Sequence, residues 1–396
     1  MDSQVFAQVV LNSEAKIAEA ANYPHKRYLF GEVRNTPKEY FAGIAGLRGI
    51  GKTVMMLQLA RQMPKSLYFS SDAANLRGDG IYDVARMAKA KGYESLFIDE
   101  VHFKPDWKQD LKTLYDEGGM RVFFSGSSAI EVGKGADLSR RALIFRLKPS
   151  SFREYLAIKK GIAAQAAFGA DELFDAKKRR ALISKTSGLE AQMGEYYSLG
   201  GPLCPSVDTA YFYRSLETTL ERIITVDLAH LRAVDARISE GVYSILRKIA
   251  LSPPGETSYS SVASVTALSK PTVIQVIGDL VKIGLVNRIM PCGKAVVRKE
   301  PKLFLAFPFR SHLCRLSMMQ PDAGAQREEF FASHADGLCY LSGGRGEKTP
   351  DFLFNGKRVE IGGAGKNFRQ NPDFIFKDGI TLEEKEIPLY LAGFLY

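Results

Sequence analysis

Short apolar segments alternate with amphipathic segments over residues 40–150. The apolar segments span residues 40–45, 66–70, 95–98, 121–124 and 142–145, and each is apolar on both faces. Parallel strands have this character when helices cover both sides of their sheet. The segments between them, of which 53–63 and 106–117 are the clearest, repeat their apolar positions with helical spacing. The alternation predicts an α/β domain in which a parallel sheet lies between two layers of helices.

Beyond residue 150 the pattern changes three times. Residues 151–235 are mainly helical, whereas residues 239–310 predict three short helices and then a two-stranded ribbon that turns at Pro291-Cys292-Gly293. From about residue 325 the chain is Gly-rich and strand-like to its end. These changes divide the chain into segments 1–150, 151–235, 236–320 and 321–396.

The helices of segment 236–320 predict a winged helix-turn-helix. A short helix over 261–267 precedes a second helix that begins at Lys270-Pro271, and proline favours the first turn of a helix. The second helix carries one apolar stripe at helical spacing, formed by Val273, Val276, Ile277, Leu280 and Ile283. The ribbon that follows then supplies the wing.

The composition is that of a globular chain and excludes several other classes. Of the 396 residues, 45% are hydrophobic and 25% are charged, which excludes a disordered or collagen-like chain. No apolar run approaches the roughly 18 residues of a membrane span, and the start lacks the basic region of a secretory signal. The four cysteines lie far apart without a CxxC pair. We therefore expect a cytoplasmic protein with no membrane partner, no disulfide framework and no zinc site.

The formal net charge of +10 is concentrated in one segment. Residues 236–320 contain twelve basic and four acidic residues, a net +8, whereas residues 321–396 carry −3. This charge predicts duplex DNA as a partner of the winged helix, although such modules also mediate protein contacts. The second helix would present Ser269, Thr272 and Gln275 to bases or phosphates. Phosphate contacts are expected from Arg288, Lys294, Arg298, Lys299 and Lys302 on or near the wing.

Residues 46–53, Gly-Leu-Arg-Gly-Ile-Gly-Lys-Thr, match the phosphate-loop pattern G-x-x-x-x-G-K-[ST] between a predicted strand and a predicted helix. Its glycines allow backbone N–H groups to surround phosphate oxygens, and the helix directs its positive end at the same anion. We expect Lys52 to reach the β- and γ-phosphates of ATP and Thr53 to bind Mg²⁺. The remaining predicted nucleotide contacts are Gly46, Arg48, Gly49, Ile50, Gly51 and Val54, of which Arg48 could equally point to solvent.

Two carboxylates end the predicted strand 95–98. Asp99 follows Lys52 by 47 residues, at the place where P-loop enzymes hold the Mg²⁺ shell. Glu100, directly after it, is placed to activate the water that attacks the γ-phosphate as a general base.

Two further candidates follow the next strands. A hydroxyl after strand 121–124 could orient the attacking water, with Ser125 as the first candidate and Ser127 as the second, although a Ser/Gly turn explains both residues as well. Arg141, beside Arg140, could stabilise γ-phosphate charge in the same or a neighbouring subunit; the alternative is a solvated turn.

In this order, the motifs resemble a family of prokaryotic P-loop ATPases in the AAA-plus superfamily. The segments that carry the resemblance are 46–53, 97–101 leading to 105–107, 124–128, 150–156, 359–363 and 387–396. The resemblance implies an ATPase core over 1–150, a helical lid over 151–235, a winged helix over 236–320 and a C-terminal domain like restriction endonucleases over 321–396. It also implies binding of ATP and its hydrolysis to ADP and phosphate. Our main hypothesis is that the nucleotide state then changes the arrangement of the basic winged helix, the expected DNA-binding part, and of the acidic C-terminal segment.

Asp351 and Glu360 resemble the acidic pair that holds Mg²⁺ in restriction-type nucleases. Such sites need a lysine two residues after the glutamate, and this chain has Gly362 there. Lys357 or Lys366 could substitute, but an inactive nuclease-like scaffold is the expectation. The alternatives to the ATPase hypothesis are therefore an ATP-switched DNA-binding regulator with negligible turnover and an ATP-gated nuclease.

Overall fold

A computed structural model describes residues 1–126, 138–163, 165–201, 208–293, 299–343 and 348–396. The chain divides into two compact units, Met1–Lys148 and Pro149–Tyr396. No helix in the described ranges is long and apolar enough to span a membrane.

The first unit is built on a five-stranded sheet in which every neighbouring pair of strands is parallel. Its strands are β1 (Phe41–Ala45), β2 (Ser66–Ser70), β3 (Ser95–Asp99), β4 (Arg121–Gly126) and β5 (Ala142–Arg146), in the order β2-β3-β4-β1-β5. Its helices are α1 (Ser3–Glu19), α2 (Phe30–Arg34), α3 (Lys52–Gln62), α4 (Ile81–Ala90) and α5 (Trp107–Glu117). The predicted parallel α/β arrangement is confirmed.

The strand order decides where the candidate site forms. All residues of β1 and β3 are buried, so both faces of these strands are covered, as their apolar sequences predict. β4 lies between them, and the carboxyl ends of parallel strands share one edge of the sheet. The residues that follow β1, β3 and β4 are therefore neighbours in space.

The second unit begins with helices and contains two sheets. Its helices are α6 (Phe152–Lys160), α7 (Ala170–Phe174), α8 (Ala176–Lys185), α9 (Met193–Leu199), α10 (Thr209–Arg222), α11 (Ala236–Leu251), α12 (Tyr259–Ala263), α13 (Lys270–Ile283), α14 (Phe309–Leu316) and α15 (Ala323–His334). Its strands are β6 (Val286–Ile289), β7 (Lys302–Leu305), β8 (Cys339–Tyr340), β9 (Phe352–Phe354), β10 (Lys357–Gly362), β11 (Phe374–Lys377) and β12 (Glu386–Pro388). β6 and β7 form an antiparallel ribbon, and the other five strands form a sheet in the order β12-β11-β10-β9-β8.

The helices that directly follow residue 150 pack against the last segment of the chain. Phe152 and Tyr196 share one core with Phe330 and Phe394, which belong to the last segment of the chain. The Phe152 ring meets the other three rings edge-on at centroid distances of 5.4 to 6.4 Å. Large aromatic side chains bury most of their surface only where several elements meet, so these segments form one core rather than two.

Two expectations about the last part of the chain are wrong. Residues 323–334 form helix α15 where strand-like structure was expected, and Leu389–Phe394 form a 3₁₀ helix. In α15 the three consecutive residues Phe330, Phe331 and Ala332 are buried together with Ala325 and Glu329, so no narrow apolar stripe appears in its sequence.

The expectation of no disulfide framework is also corrected, because Cys292 and Cys339 are joined by a disulfide. Backbone hydrogen bonds from Tyr340 N to Met290 O and from Cys292 N to Tyr340 O, each 3.0 Å long, bring the two segments together. The cysteines are 47 residues apart, and only this long-range pairing makes them neighbours.

Candidate nucleotide site

The phosphate loop follows β1 and leads directly into α3. Gly49 has φ of 81° and Gly51 has φ of 95°, backbone conformations that favour glycine. At Gly46 an added Cβ would lie 2.5 Å from Leu147 O and 2.6 Å from Ile50 Cδ1. The loop therefore has its present path only with glycine at these positions.

The Lys52 side chain lies against the backbone of the phosphate loop. Its side chain is buried, and Nζ donates to Gly46 O at 3.0 Å and to Leu47 O at 3.2 Å. Of the other predicted contacts, Arg48 and Val54 are half-buried, Gly49 is exposed and Ile50 is buried. The loop thus holds one ammonium group at its centre, as anion binding requires.

Asp99 is the centre of a hydroxyl network at the end of β3. Its Oδ2 accepts hydrogen bonds from Thr53 Oγ1 at 2.6 Å and from Tyr68 OH at 3.0 Å, and its Oδ1 accepts one from Ser125 Oγ. Asp99 is only 2% exposed. The two residues predicted to hold Mg²⁺ therefore lie in direct contact, which fits a cation bound by both oxygens.

Tyr68 is a site residue that the sequence did not indicate. It lies in β2 beside Phe97 of β3, and no nucleotide-binding motif includes it. Its signal in the sequence is a hydroxyl-bearing ring between two apolar residues, Leu67 and Phe69. Burial, followed by the charge of Asp99, raises the pKa of Tyr68, so the phenol remains a donor over the working pH range.

Glu100 has a left-handed backbone, with φ of 51° and ψ of 48°. Its N–H donates to Ser125 Oγ at 3.1 Å, and its Oε2 lies 3.4 Å from His102 Nδ1. Non-glycine residues in this conformation cluster at functional sites because the surrounding contacts must hold them there.

Ser125 connects the two carboxylate residues. Its hydroxyl donates to Asp99 and accepts from Glu100 N, and the residue is fully buried. The one donor of the Ser125 hydroxyl is therefore bonded to Asp99, and its contact with the attacking water stays a prediction. The second candidate, Ser127, lies outside the described residues.

The structure does not bring Arg141 to the phosphate loop of the same chain. Phe41 of β1 pairs with Ala142 of β5, so Arg141 lies at the amino edge of the sheet, about 20 Å along the strand direction from Gly46. Its Nη2 is 2.9 Å from Asp116 Oδ1, and its guanidinium stacks over Tyr115. A contact in a neighbouring subunit stays a prediction.

The predicted DNA-contacting residues differ in their exposure and in the hydrogen bonds that they already make. Ser269 caps α13, and its hydroxyl lies 2.9 Å from Thr272 Oγ1, so Thr272 is partly engaged in the cap. Gln275 on α13 and Arg288 on β6 are exposed. Lys299 donates to Gly343 O at 3.0 Å. Lys294 and Arg298 lie outside the described residues.

Two lysines lie among the carboxylates of the last segment. Lys366 Nζ is 2.5 Å from Glu360 Oε1, and an added Cβ at Gly362 would lie 2.6 Å from the Lys366 side chain. Lys302 Nζ is 2.9 Å from Glu328 Oε2 and 3.8 Å from Asp351 Oδ1. Lys366 thus covers the position where the expected lysine is missing, whereas Lys357 is exposed at the start of β10.

Burial and the neighbouring Asp351 raise the pKa values of Glu328 and Glu360. Within the described ranges, no group of three or more His, Cys, Asp or Glu side chains is placed to hold a metal ion. Glu328, Asp351 and Glu360 each have a lysine ammonium within 4 Å instead.

Comparison with known proteins agrees with this geometry. Residues 38–156 match the AAA domain family. The segment contains the phosphate loop, Asp99, Glu100 and Ser125, and the match supports an ATP-binding AAA-type P-loop domain.

One curated relative is the uncharacterized protein MJ1637 of Methanocaldococcus jannaschii, which is 31% identical over 308 residues. The alignment covers 71% of this chain and 63% of the relative, so the chain spans less than two thirds of that protein.

Two solved structures are distantly similar to this chain. They are AMPPCP-bound DnaA from Aquifex aeolicus and a single-residue variant of RuvB from Thermotoga maritima, each 15% identical. The first match covers 66% of this chain and 90% of DnaA with a TM-score of 0.28. The second covers 70% of this chain and 89% of RuvB with a TM-score of 0.29.

Proposed function

We propose that the protein binds Mg-ATP at the phosphate loop and hydrolyses it to ADP and phosphate. The observation that carries this proposal is the 2.6 Å contact between Thr53 Oγ1 and Asp99 Oδ2 at the mouth of the loop. It joins the phosphate-binding helix to the strand that Glu100 directly follows. Magnesium binding, phosphate binding and water activation are thereby assigned to one edge of the sheet.

Each residue has a distinct role in this proposal. Lys52 and the loop amides hold the β- and γ-phosphates, while Thr53 and Asp99 hold Mg²⁺, which neutralises phosphate charge when bound. Glu100 accepts the proton of the attacking water. Ser125 and Tyr68 hold Asp99 in place through their hydroxyl groups.

ATP binding by calorimetry and phosphate release together test these roles. Lys52→Ala is expected to lose binding, and Glu100→Gln is expected to bind ATP while hydrolysing it at least about 100-fold more slowly. Lys65→Ala is the matched control, because Lys65 pairs with Glu94 on the surface of the same unit. Normal binding by Lys52→Ala would reject the phosphate-loop assignment, and normal turnover by Glu100→Gln would reject the general base.

We further propose that α12, α13 and the β6–β7 ribbon act as a winged helix that binds duplex DNA. The specific support is the net charge of +8 in residues 236–320 together with the exposed Gln275 and Arg288. The apolar stripe of α13, from Val273 to Ile283, is buried, so the opposite face of the helix is the one offered to a partner.

Fluorescence anisotropy with duplex DNA over a salt series tests this part. Arg288→Ala is expected to weaken binding and to reduce the slope of log K against log salt by about 1, the signature of one lost phosphate contact. Lys357→Ala, which removes an exposed positive charge from β10, is the control. Binding that is independent of salt would reject DNA as the partner.

DNA binding measured with and without ATP, together with phosphate release measured with and without DNA, separates the ATPase from the ATP-switched regulator. An ATPase coupled to DNA releases phosphate at a rate that DNA changes. An ATP-switched regulator changes its DNA affinity when ATP binds and releases negligible phosphate. The ATP-gated nuclease stays an alternative: the lysine that such a site needs is absent at Gly362, and Lys366, whose Nζ lies 2.5 Å from Glu360 Oε1, is the residue that would have to replace it.

A further inference from the structure

A segment without regular structure, residues 23–28, runs past the phosphate loop before α2 begins. Gln58 of α3 holds its first part, since Nε2 donates to Tyr23 O at 2.6 Å and to His25 O at 2.9 Å. Tyr28 holds its last part, since its hydroxyl donates to Arg146 O at 3.0 Å and accepts from Lys148 N at 3.2 Å. The segment is therefore attached both to α3 and to the chain that follows β5.

Arg27 is the residue of this segment that reaches the phosphate loop. It is only 4% exposed, its Nη1 donates to Ile50 O, and its Nη2 donates to Lys148 O at 2.8 Å. A guanidinium is costly to bury unless its donors are bonded, and its planar fork suits two carbonyl groups at once. One buried cation thus joins the phosphate loop to the end of the first unit.

The Lys148 carbonyl holds Arg27 in a fixed position. Leu147 N donates to Ala45 O at 2.8 Å, which continues the pairing of β5 with β1 by one residue. The next residue, Lys148, therefore lies directly beside the sheet edge from which the loop begins. Because Arg27 is bonded to both carbonyl groups, the fixed position of Lys148 also constrains the Ile50 carbonyl.

Holding the Ile50 carbonyl also determines where the next amide points. The peptide group is planar and trans, so Ile50 C=O and Gly51 N–H point in opposite directions. With the carbonyl bonded to Arg27, the Gly51 N–H is directed to the opposite side of the peptide, away from the guanidinium. Inward N–H groups are what a phosphate loop uses to bind its anion.

We propose that Arg27 is a positioning residue for nucleotide binding, which sets the Ile50–Gly51 peptide so that the loop amides receive phosphate. The inference rests on the proposed Mg-ATP site but assigns a role outside the phosphate-loop motif. Arg27 acts through Ile50. The loop holds phosphate in the ground state and in the transition state alike, so loss of Arg27 raises KM and leaves kcat nearly unchanged.

Arg27→Ala and Arg27→Lys are compared with the wild-type chain by calorimetric ATP binding and by steady-state turnover. Arg27→Ala is expected to raise the Kd and KM for ATP at least about tenfold, the loss expected for a charge-assisted hydrogen bond. Lysine carries the charge without the planar fork, so Arg27→Lys is expected to be intermediate and to fold even where alanine does not. Millimolar guanidinium is expected to restore ATP binding to Arg27→Ala, and methylammonium is not.

Gln58→Met is the matched control. It removes two hydrogen bonds that hold the same segment and touches no loop carbonyl, so it is expected to lower the Tm while the Kd for ATP stays within about twofold. The proposal is overturned if both Arg27 variants bind ATP like the wild type, if Gln58→Met loses as much affinity as Arg27→Ala, or if guanidinium restores nothing. Failure of the wild-type chain to bind ATP would reject the proposed function itself, whereas these outcomes reject only Arg27.

Discussion

The hydrogen bond from Tyr68 to Asp99 offers a direct test of how the magnesium-binding carboxylate is held. Asp99 is buried and accepts three hydroxyl groups, of which the Tyr68 phenol is one, at 3.0 Å. Tyr68→Phe removes this donor and leaves the ring in place. Thr53 and Ser125 still donate to the carboxylate, so the change isolates one contact.

The expected loss of stability in Tyr68→Phe follows from the negative charge of Asp99, which accepts the hydrogen bond. A hydrogen bond to a charged group contributes about 1.5–3 kcal/mol, and the lower end applies because two donors remain. We therefore expect the free energy of unfolding to fall by about 1.5 kcal/mol. Burial and Asp99 raise the pKa of Tyr68 above its unfolded value, so this stability is fully present below about pH 10 and does not vary between pH 6 and 9.

The chain contains one tryptophan, Trp107, which is buried in the first unit, so its fluorescence in a urea titration reports the unfolding of that unit. Tyr82→Phe is the matched control, since Tyr82 donates to Glu117 at 2.6 Å on the exposed surface and its loss should cost less than about 0.5 kcal/mol. A second measurement is the Mg²⁺ concentration that half-saturates ATP binding, expected to rise up to about tenfold in Tyr68→Phe only. Equal effects of the two variants would refute the reasoning.

Three further predictions concern packing and cross-links. In Gly46→Ala the new Cβ would lie 2.5 Å from Leu147 O, so calorimetry should show ATP affinity reduced at least about tenfold; unchanged affinity would contradict the described loop. Arg310→Met leaves the 1%-exposed Glu329 without its ion-pair partner and should cost about 3–5 kcal/mol by urea unfolding; a loss below about 1 kcal/mol would show that water reaches the carboxylate. Cys292→Ser removes a cross-link over 47 residues and should cost about 4 kcal/mol, and dithiothreitol should then lower the Tm of the wild type alone.

The sequence by itself determined the features that depend on local pattern. Apolar runs on both faces predicted the strands of the first unit to within about two residues at each end, because a covered parallel strand needs apolar residues on both sides. The phosphate loop was equally local, since its glycines and Lys52 act within eight consecutive residues. The apolar spacing of α13 predicted its buried stripe for the same reason.

Only the tertiary structure decided which distant residues meet. The strand order brings Asp99 to Thr53 and Ser125 and places Arg141 at the opposite edge, and neither distance follows from spacing along the chain. Arg27 reaches Ile50 from outside every motif.

The packing of the second unit likewise depends on contacts between residues that are far apart in the sequence. Phe152 and Phe394 share a core across more than half of the chain, and Cys292 finds its partner only through the neighbouring backbone pairs. The local pattern of apolar, polar and glycine residues indicates which residues are buried and which backbone conformation they adopt. The identity of its neighbours depends on loop closure and packing over the whole unit, which no short stretch of sequence encodes.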